Sequence, residues 1–371
     1  MPSSTKQTGI VQSSEAASNG LLPLAVSQSL PIPELPSAAH VLVRVLAVAL
    51  NPTDHKMVAN FPIPDNMVGC DFCGVVERCH DSLESAPAHP PGTRVCGAVF
   101  PYSYNPDAPR SGAFAQWVVA DSRLLLRVPR DWSHLEGAAM GGIGWGTLSL
   151  AFYAPDALAL QGRPSAPIEA AEPVLVYGAA TATGTMACQL LKLSGYSPVA
   201  VASTKSAPLA VEYGAIGCAA YTSPTCVDEI RSLAEGKPIR RALDCITSAE
   251  SAAICFAAIA RTGGRYACLE GLSDSWRTRQ AVRTKEVMGY ESLGIRIDVG
   301  STPYSREASQ EALATCAAWA REMQSLLDAA TVKPHPTREV PRQWQGIIQG
   351  LTTLQKGAVR GEKLVVQIGE M

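Results

Sequence analysis

The stretch PVLVYGAATATGTMACQLLKLSGYSPVAVASTK, residues 173–205, decides the fold. Pro173–Gly178 is a short apolar run that reads as a buried strand. Thr185–Leu193 has the composition and spacing of a helix, Gly195 closes it, and Pro198–Ala202 is a second apolar strand. Strand, helix and strand within about 30 residues make a βαβ unit, whose crossover is right-handed. Further strands read at Ala242–Ile246 and Arg265–Gly271, each preceded by a helical stretch, extend the unit into an open, doubly wound parallel sheet.

In such a sheet the first strand-to-helix turn is where a dinucleotide pyrophosphate meets a helix N-terminus. Here the turn is Gly178-Ala179-Ala180-Thr181-Ala182-Thr183-Gly184. Its letters are not G-x-G-x-x-G, but Ala180, Thr181, Ala182 and Thr183 are small enough for close backbone approach, and the threonines offer hydroxyls to phosphate oxygens. The alternative is a small-residue turn that merely packs. At the end of the second strand a carboxylate would select the 2′-hydroxyl of NAD, and none is present in Ala202-Ser203-Thr204-Lys205-Ser206. Ser203, Thr204 and Lys205 suit a 2′-phosphate, so NADPH is the expected cofactor, unless Lys205 is an ordinary solvated lysine. Tyr221 falls where a third strand ends and reads either as a flank to the 2′-phosphate or adenine or as a half-buried core tyrosine.

Upstream, the texture is different. Short β-rich runs such as His40–Leu50 and Ala115–Ala120, punctuated by Gly and Pro, predict a compact β domain up to about Tyr153. Ala154–Glu172 reads as a helical end and a connecting loop. Downstream, Ser305–Ala330 predicts a strong helix, Gln343–Gln355 an amphipathic one, and Lys363–Ile368 a closing strand.

Composition narrows the class of function. A length of 371 residues suggests two domains by the ~100–200-residue prior, and 47% hydrophobic against 17% charged residues provides for a sizeable core rather than a disordered chain. Lys plus Arg number 31 against 33 Asp plus Glu, without the basic excess of a nucleic-acid binder. No apolar run approaches the ~20 residues of a membrane helix. Eleven cysteines, an odd number, and an N-terminal stretch (residues 1–20) without a charged region followed by an apolar one predict a soluble protein of the reduced cytoplasm.

The order of β domain, linker, doubly wound domain and returning helix and strand resembles the medium-chain dehydrogenase/reductase superfamily. Asn51–Asp54, Gly69–Val76, Gly92–Gly97 and Gly112–Gln116 resemble its N-P-x-D, G-x-D-x-x-G-x-V, G-D-R-V-x-G and G-x-[FY]-A-E segments in order. Longer strings resemble the trans-acting enoyl reductases of fungal highly reducing polyketide synthases, of the type that serves the lovastatin nonaketide synthase: Asn51–Met57, Ala180–Thr183, RRALDCIT at Arg240–Thr247, and Gly361–Val366. Trp145 and Glu270 depart from that type, which has a small hydroxyl residue and an Asn there. The resemblance implies an α/β protein with a GroES-like β-rich catalytic domain, residues 1–165 and 305–371, and a Rossmann NADPH-binding domain, residues 166–304.

Cys70, Cys73, Cys79 and His80 invite a zinc reading, since thiolate and imidazole suit tetrahedral zinc. Against it, Asp71–Val76 reads as a buried strand in which cysteine serves as a small apolar residue. Zinc-dependent members of the superfamily have Cys near Asn51, G-H-E near Gly69–Asp71 and a four-Cys lobe after the G-D-R-V segment, where this chain has only Cys96. No metal is expected, and metal-free chemistry favours reduction of an activated C=C.

The resemblance implies NADPH-dependent reduction of the α,β-double bond of a carrier-protein-bound polyketide thioester. It directs the loop carrying Thr53, Asp54 and Lys56 at the nicotinamide. Lys56 then stabilises the enolate or orients the thioester carbonyl and contacts the cofactor, with Asp54 holding it; the plainer reading is a surface Asp54–Lys56 ion pair. Gly144, Trp145, Gly146 and Thr147 line the substrate side, with Trp145 either an apolar wall or a core residue. Leu269, Glu270 and Gly361, with Cys245–Thr247, lie where the family contacts the nicotinamide half. His55 and His134 read as surface or capping residues. The implied partners are a polyketide synthase, or a synthase–peptide synthetase hybrid, and its acyl carrier protein, met by a monomer. Arg277, Arg279, Arg283 and Lys285 form either a basic docking patch or a solvated helix or loop face. A stand-alone quinone or enone reductase and a catalytically idle NADPH-binding subunit remain open as alternatives.

Overall fold

The computed structural model describes residues 5–15, 21–80, 88–104 and 111–369; parts of the N-terminal stretch, residues 1–4 and 16–20, lie outside them. The chain divides into two compact units, Met1–Ile143 with Leu293–Met371, and Gly144–Ser292.

The first unit begins with a β1 (Lys6–Gln12) and β2 (Leu24–Pro31) hairpin, followed by β3 (His40–Ala49), α1 (Pro52–Asn60), β4 (Asp71–Cys79), β5 (Arg94–Ala98), β6 (Trp117–Asp121), β7 (Leu126–Arg127) and α2 (His134–Met140). β3 is its spine. HVLVRVLAVA has almost no polar alternation, and its residues from Val41 to Ala49 are buried apart from Arg44, as a strand covered on both faces requires. It pairs antiparallel with β4 along one edge and with β6 over His40–Arg44 along the other.

α3 (Ile143–Tyr153) leads into the second unit: β8 (Pro173–Tyr177), α4 (Ala182–Leu193), β9 (Ser197–Ala202), α5 (Ala207–Glu212), β10 (Gly217–Ala220), α6 (Cys226–Leu233), β11 (Arg241–Asp244), α7 (Ala249–Ala258), β12 (Gly264–Cys268) and β13 (Val282–Glu286). The order β10-β9-β8-β11-β12-β13, parallel throughout, is the doubly wound sheet read from the sequence. Chain direction across the sheet reverses between β8 and β11, and in doubly wound sheets a ligand binds at the carboxyl ends of the strands at such a reversal.

The chain then returns to the first unit through α8 (Gln310–Asp328), β14 (Thr337–Glu339), α9 (Gln343–Gln355) and β15 (Lys363–Gln367). β15 pairs Val365–Gln367 with Ala47–Ala49 of β3, so the last strand completes the first sheet. α8 starts at Gln310, five residues inside the expected helix, because the Ser309 side chain caps it by accepting from the Ala312 amide at 3.1 Å.

The unit boundary at 143/144 precedes the connecting segment read at Ala154–Glu172 for a physical reason. That segment is tied to the parallel sheet: Arg265 donates to the Pro155 and Ala157 carbonyls, Arg241 to Leu158, and the Tyr196 hydroxyl accepts from the Gln161 and Gly162 amides at 3.0 Å each. Among the described residues no helix is long and apolar enough to cross a membrane.

Candidate active site

The turn after β8 is built to leave a helix start open. Gly178 has φ of 73°, a conformation that only glycine adopts without strain, and its amide and that of Ala179 both reach the Val201 carbonyl of β9. Thr181 is the N-cap of α4, its hydroxyl accepting from the Gly184 amide at 3.0 Å. The first-turn amides of Ala182 and Thr183 have no intrahelical acceptor and carry the positive end of a twelve-residue helix. A Cβ on Gly184 would lie 2.2 Å from the Gly178 carbonyl oxygen, so this glycine permits the helix to sit against the turn. Amides without partners among the described residues, a hydroxyl and close backbone fit a dinucleotide pyrophosphate. Of the four residues named from the sequence, Ala180 is buried, while Thr181, Ala182 and Thr183 are half-buried.

At the neighbouring edge Ser203 receives the Ser206 amide at 3.2 Å and donates to the Ser206 hydroxyl at 3.0 Å, shaping the turn after β9. Thr204 and Lys205 are exposed on it. Tyr221 follows β10, donates its amide to Ala202, and lies with its ring 6.4 Å from that of Tyr177, packed against the core beneath. It is half-buried and stands at the carboxyl edge of the sheet.

The end of β11 explains the string DCIT. Asp244 is fully buried, and one oxygen accepts the Ile246 and Thr247 amides at 2.9 Å each while the other accepts the Tyr266 hydroxyl at 2.8 Å. The turn sets Thr247 at φ of 60° and leaves Ile246 exposed, its Cγ1 2.8 Å from where a Gly178 Cβ would stand. The Thr247 hydroxyl accepts the Leu269 amide at 3.2 Å. Cys245–Thr247, Leu269 and Glu270 thus line up at the carboxyl edge of the sheet.

In the first unit, Asn51 caps α1. Its amide donates to the Asp54 carboxylate at 2.9 Å, closing a capping box. The Tyr102 hydroxyl donates to the other Asp54 oxygen at 2.8 Å and accepts the Gly69 amide at 3.0 Å. Asp54 is fully buried, so the expectations that it grips Lys56, touches the cofactor or joins a surface ion pair are corrected. Residues two apart on a helix face different ways, and Asp54 faces inward while Thr53 and Lys56 are half-buried.

Burial raises the Asp54 carboxyl to about 6, and the Asp71 charge adds to it, against the hydrogen bonds from Asn51, Cys70 and Tyr102. A carboxyl raised above its unfolded value of 3.8 stabilises the fold most below that value and loses the contribution as pH rises through about 6. The stability advantage of wild type over Asp54→Asn should therefore shrink between pH 4 and 7 in thermal melts. A difference independent of pH would count against this.

Trp145 is 2% exposed and is a core residue rather than an acyl-facing wall. Gly144, by contrast, is open: a Cβ there would meet nothing within 4 Å. Gly146 and Thr147 are buried, and Thr147 presses on Gly289, where a Cβ would lie 2.2 Å from its Oγ1. Gly361, at φ of 66°, is half-buried just before β15. Cys73 and Cys96 face one another across β4 and β5, and burial pushes the Cys73 thiol up to about 12. Among the described residues no group of three or more His, Cys, Asp or Glu is placed to hold a metal.

The basic segment is loop at Arg277 and Arg279 and edge strand at Arg283 and Lys285. Val282–Glu286 is β13, and three of the segment's four cations are committed. Arg279 donates to the Phe256, Ile259 and Ala260 carbonyls that end α7, Arg277 pairs with Glu286 at 3.0 Å, and Lys285 with Asp156 at 2.5 Å. As a docking patch it is reduced to Arg283, which is exposed.

A buried node escaped the sequence reading. Asp71 accepts from Asn51 Nδ2 at 2.9 Å, the Gly142 and Ile143 amides at 2.8 and 3.0 Å, and Lys363 Nζ at 2.8 Å. The available signal was charge in the wrong place: an Asp and a Lys opening apolar strands, DFCGVV and KLVVQI.

A β-rich unit completed by its C-terminal strand, and a doubly wound parallel unit with an open helix start, define the medium-chain dehydrogenase/reductase class. Residues 37–130 match the alcohol dehydrogenase GroES-like domain family. An alcohol dehydrogenase superfamily protein from Novosphingobium aromaticivorans shares the fold, with a TM-score of 0.72 at 18% identity over 98% of this chain and all of that one. The trans-enoyl reductase calK of Penicillium decumbens is 55% identical over 99% of both chains, and sthE of Phaeosphaeria nodorum is 51% identical over 98% of this chain and 97% of that one. The chain belongs to the trans-enoyl reductase family.

Proposed function

We propose that this protein is an NADPH-dependent enoyl reductase. It acts in trans, as a cytoplasmic monomer, on an α,β-unsaturated thioester carried by the acyl carrier protein of a fungal polyketide synthase or synthase–peptide synthetase hybrid. The observation that carries the reaction class is end-to-end identity of 55% with a trans-enoyl reductase. NADPH is supported by hydroxyls and an ammonium at Ser203, Thr204 and Lys205, with no carboxylate at that strand end.

The Ala182 and Thr183 amides and the Thr181 hydroxyl hold the pyrophosphate, Lys205 with its neighbours the 2′-phosphate, and Tyr221 the adenine side. Leu269 and Glu270, and in the first unit Thr53 and Gly361, contact the nicotinamide half. When bound, the reduced nicotinamide supplies hydride for the β-carbon of the substrate. Lys56 stabilises the negative charge that develops on the thioester oxygen, and the open flank of Gly144 admits the acyl chain.

The test is oxidation of NADPH or NADH followed at the nicotinamide absorbance band, with an enoyl-pantetheine thioester and with a simple quinone. NADPH-selective turnover of the thioester is expected. Turnover of quinone alone would replace the proposal by a stand-alone quinone reductase, and tight NADPH binding with turnover of neither, even on a carrier protein, by a binding subunit. Gly184→Ala, which drives a methyl into the Gly178 carbonyl, should weaken NADPH at least about tenfold, or about 1.4 kcal/mol, in a fluorescence titration. An unchanged affinity would remove the pyrophosphate from this turn.

A further inference from the structure

Asp71 and Lys363 form an ion pair buried on both sides, 0% and 6% exposed, between residues far apart in the chain. A pair so placed contributes little net stability against two well-packed apolar side chains, so its effect lies in the geometry it holds. Four donors meet on the Asp71 carboxylate, and they come from three segments. Asn51 Nδ2 belongs to the cap of α1, the Gly142 and Ile143 amides to the start of α3, and Lys363 Nζ to the start of β15. Gly141, at φ of 48°, is packed so closely that a Cβ there would lie 2.4 Å from the Asp71 carboxyl carbon, and a Cβ on Gly142 would lie 2.5 Å from the Ala98 amide nitrogen. The carboxylate is the external cap of α3, which has no acidic residue in its own first turn.

We infer that Asp71, paired with Lys363, is a positioning residue of the reductase reaction. It fixes the α1 cap, from which Thr53 and Lys56 follow, the first turn of α3, where Gly144 lies, and the β15 entry just after Gly361. This rests on the enoyl reductase reading above. The two residues touch neither substrate nor cofactor; they act through the segments they hold.

Asp71→Asn keeps the shape but turns an amide toward the Asn51 and Lys363 donors and leaves a buried ammonium unpaired. The pair of changes Asp71→Asn with Lys363→Met removes that ammonium. If the ion pair were only structural, the pair of changes would recover kcat together with melting temperature. We expect recovery of melting temperature without recovery of kcat, which stays lower on the order of 100-fold in both variants, with the NADPH Kd within about threefold of wild type. Joint recovery of both quantities would overturn the inference.

Hydrogen exchange in the same samples separates this inference from the reading beneath it. Asp71→Asn should speed exchange over residues 51–57 and 141–147 and not over 173–202. If wild type binds NADPH yet reduces no thioester, the enoyl reductase reading fails, and unchanged exchange in the first two segments overturns the positioning role independently.

Discussion

Asp244→Ala should lower the stability of the fold by about 3 kcal/mol or more, the largest stability change expected of a single substitution here. Its carboxylate is the acceptor for three donors at once, and the Tyr266 hydroxyl among them is almost wholly buried. Burial also pushes the Tyr266 hydroxyl well above the ordinary tyrosine range, so it stays a protonated donor in need of an acceptor. Removing the acceptor strands that hydroxyl and frees the turn that sets Thr247 at φ of 60°. Asp244→Asn, which keeps an oxygen for the two amides, should cost about 1 kcal/mol, and Tyr266→Phe added to Asp244→Ala should restore part of the loss. Urea midpoints at constant slope measure all three. A loss below 1 kcal/mol for the alanine variant would show that solvent replaces the carboxylate and that the turn does not depend on it.

Lys56→Ala should reduce kcat/KM for an enoyl thioester on the order of 100- to 1000-fold, the range for removing one donor from a developing oxyanion. The reduction should fall on kcat, because charge on the thioester oxygen grows only toward the transition state. Stability should change by no more than about 0.5 kcal/mol, since Lys56 is half-buried and the cap that fixes α1 belongs to Asn51 and Asp54. Single-turnover rates with saturating NADPH separate this from a cofactor defect. An unchanged kcat/KM would take Lys56 out of the chemistry.

The two variants probe opposite kinds of residue. Asp244 lies in plain view within RRALDCIT. Its physical meaning, an acidic side chain folding back on the next two amides, is a local turn rule that the sequence carries. Lys56 depends on where α1 stands within its unit, and that is set by partners distant in the chain.

Local chemistry determined the parallel sheet of the second unit. Apolar runs bounded by Gly and Ser, with helical spacing between them, admit only strands buried on both faces joined by crossovers, and β8, α4 and β9 lie within a few residues of their reading. The hydroxyl and lysine edge at Ser203–Lys205 was legible for the same reason, because a strand end is fixed by its own strand. The strand β13 was not. SWRTRQAVRTK has the charge of a solvated face, and only pairing of its last residues with β12, with Arg279 bonded to the carbonyls that end α7 and Lys285 paired with Asp156, makes it an edge. Likewise Asp54 and Trp145 read as site residues because polarity and size do not report direction. Burial decided them, turning one into a helix cap beneath Tyr102 and the other into core. The meeting of Asp71 with Lys363 was beyond reach of any local rule. An ion pair between residues 292 positions apart forms only when the last strand returns to the first sheet, and there low dielectric and four convergent donors make two isolated charges into one node.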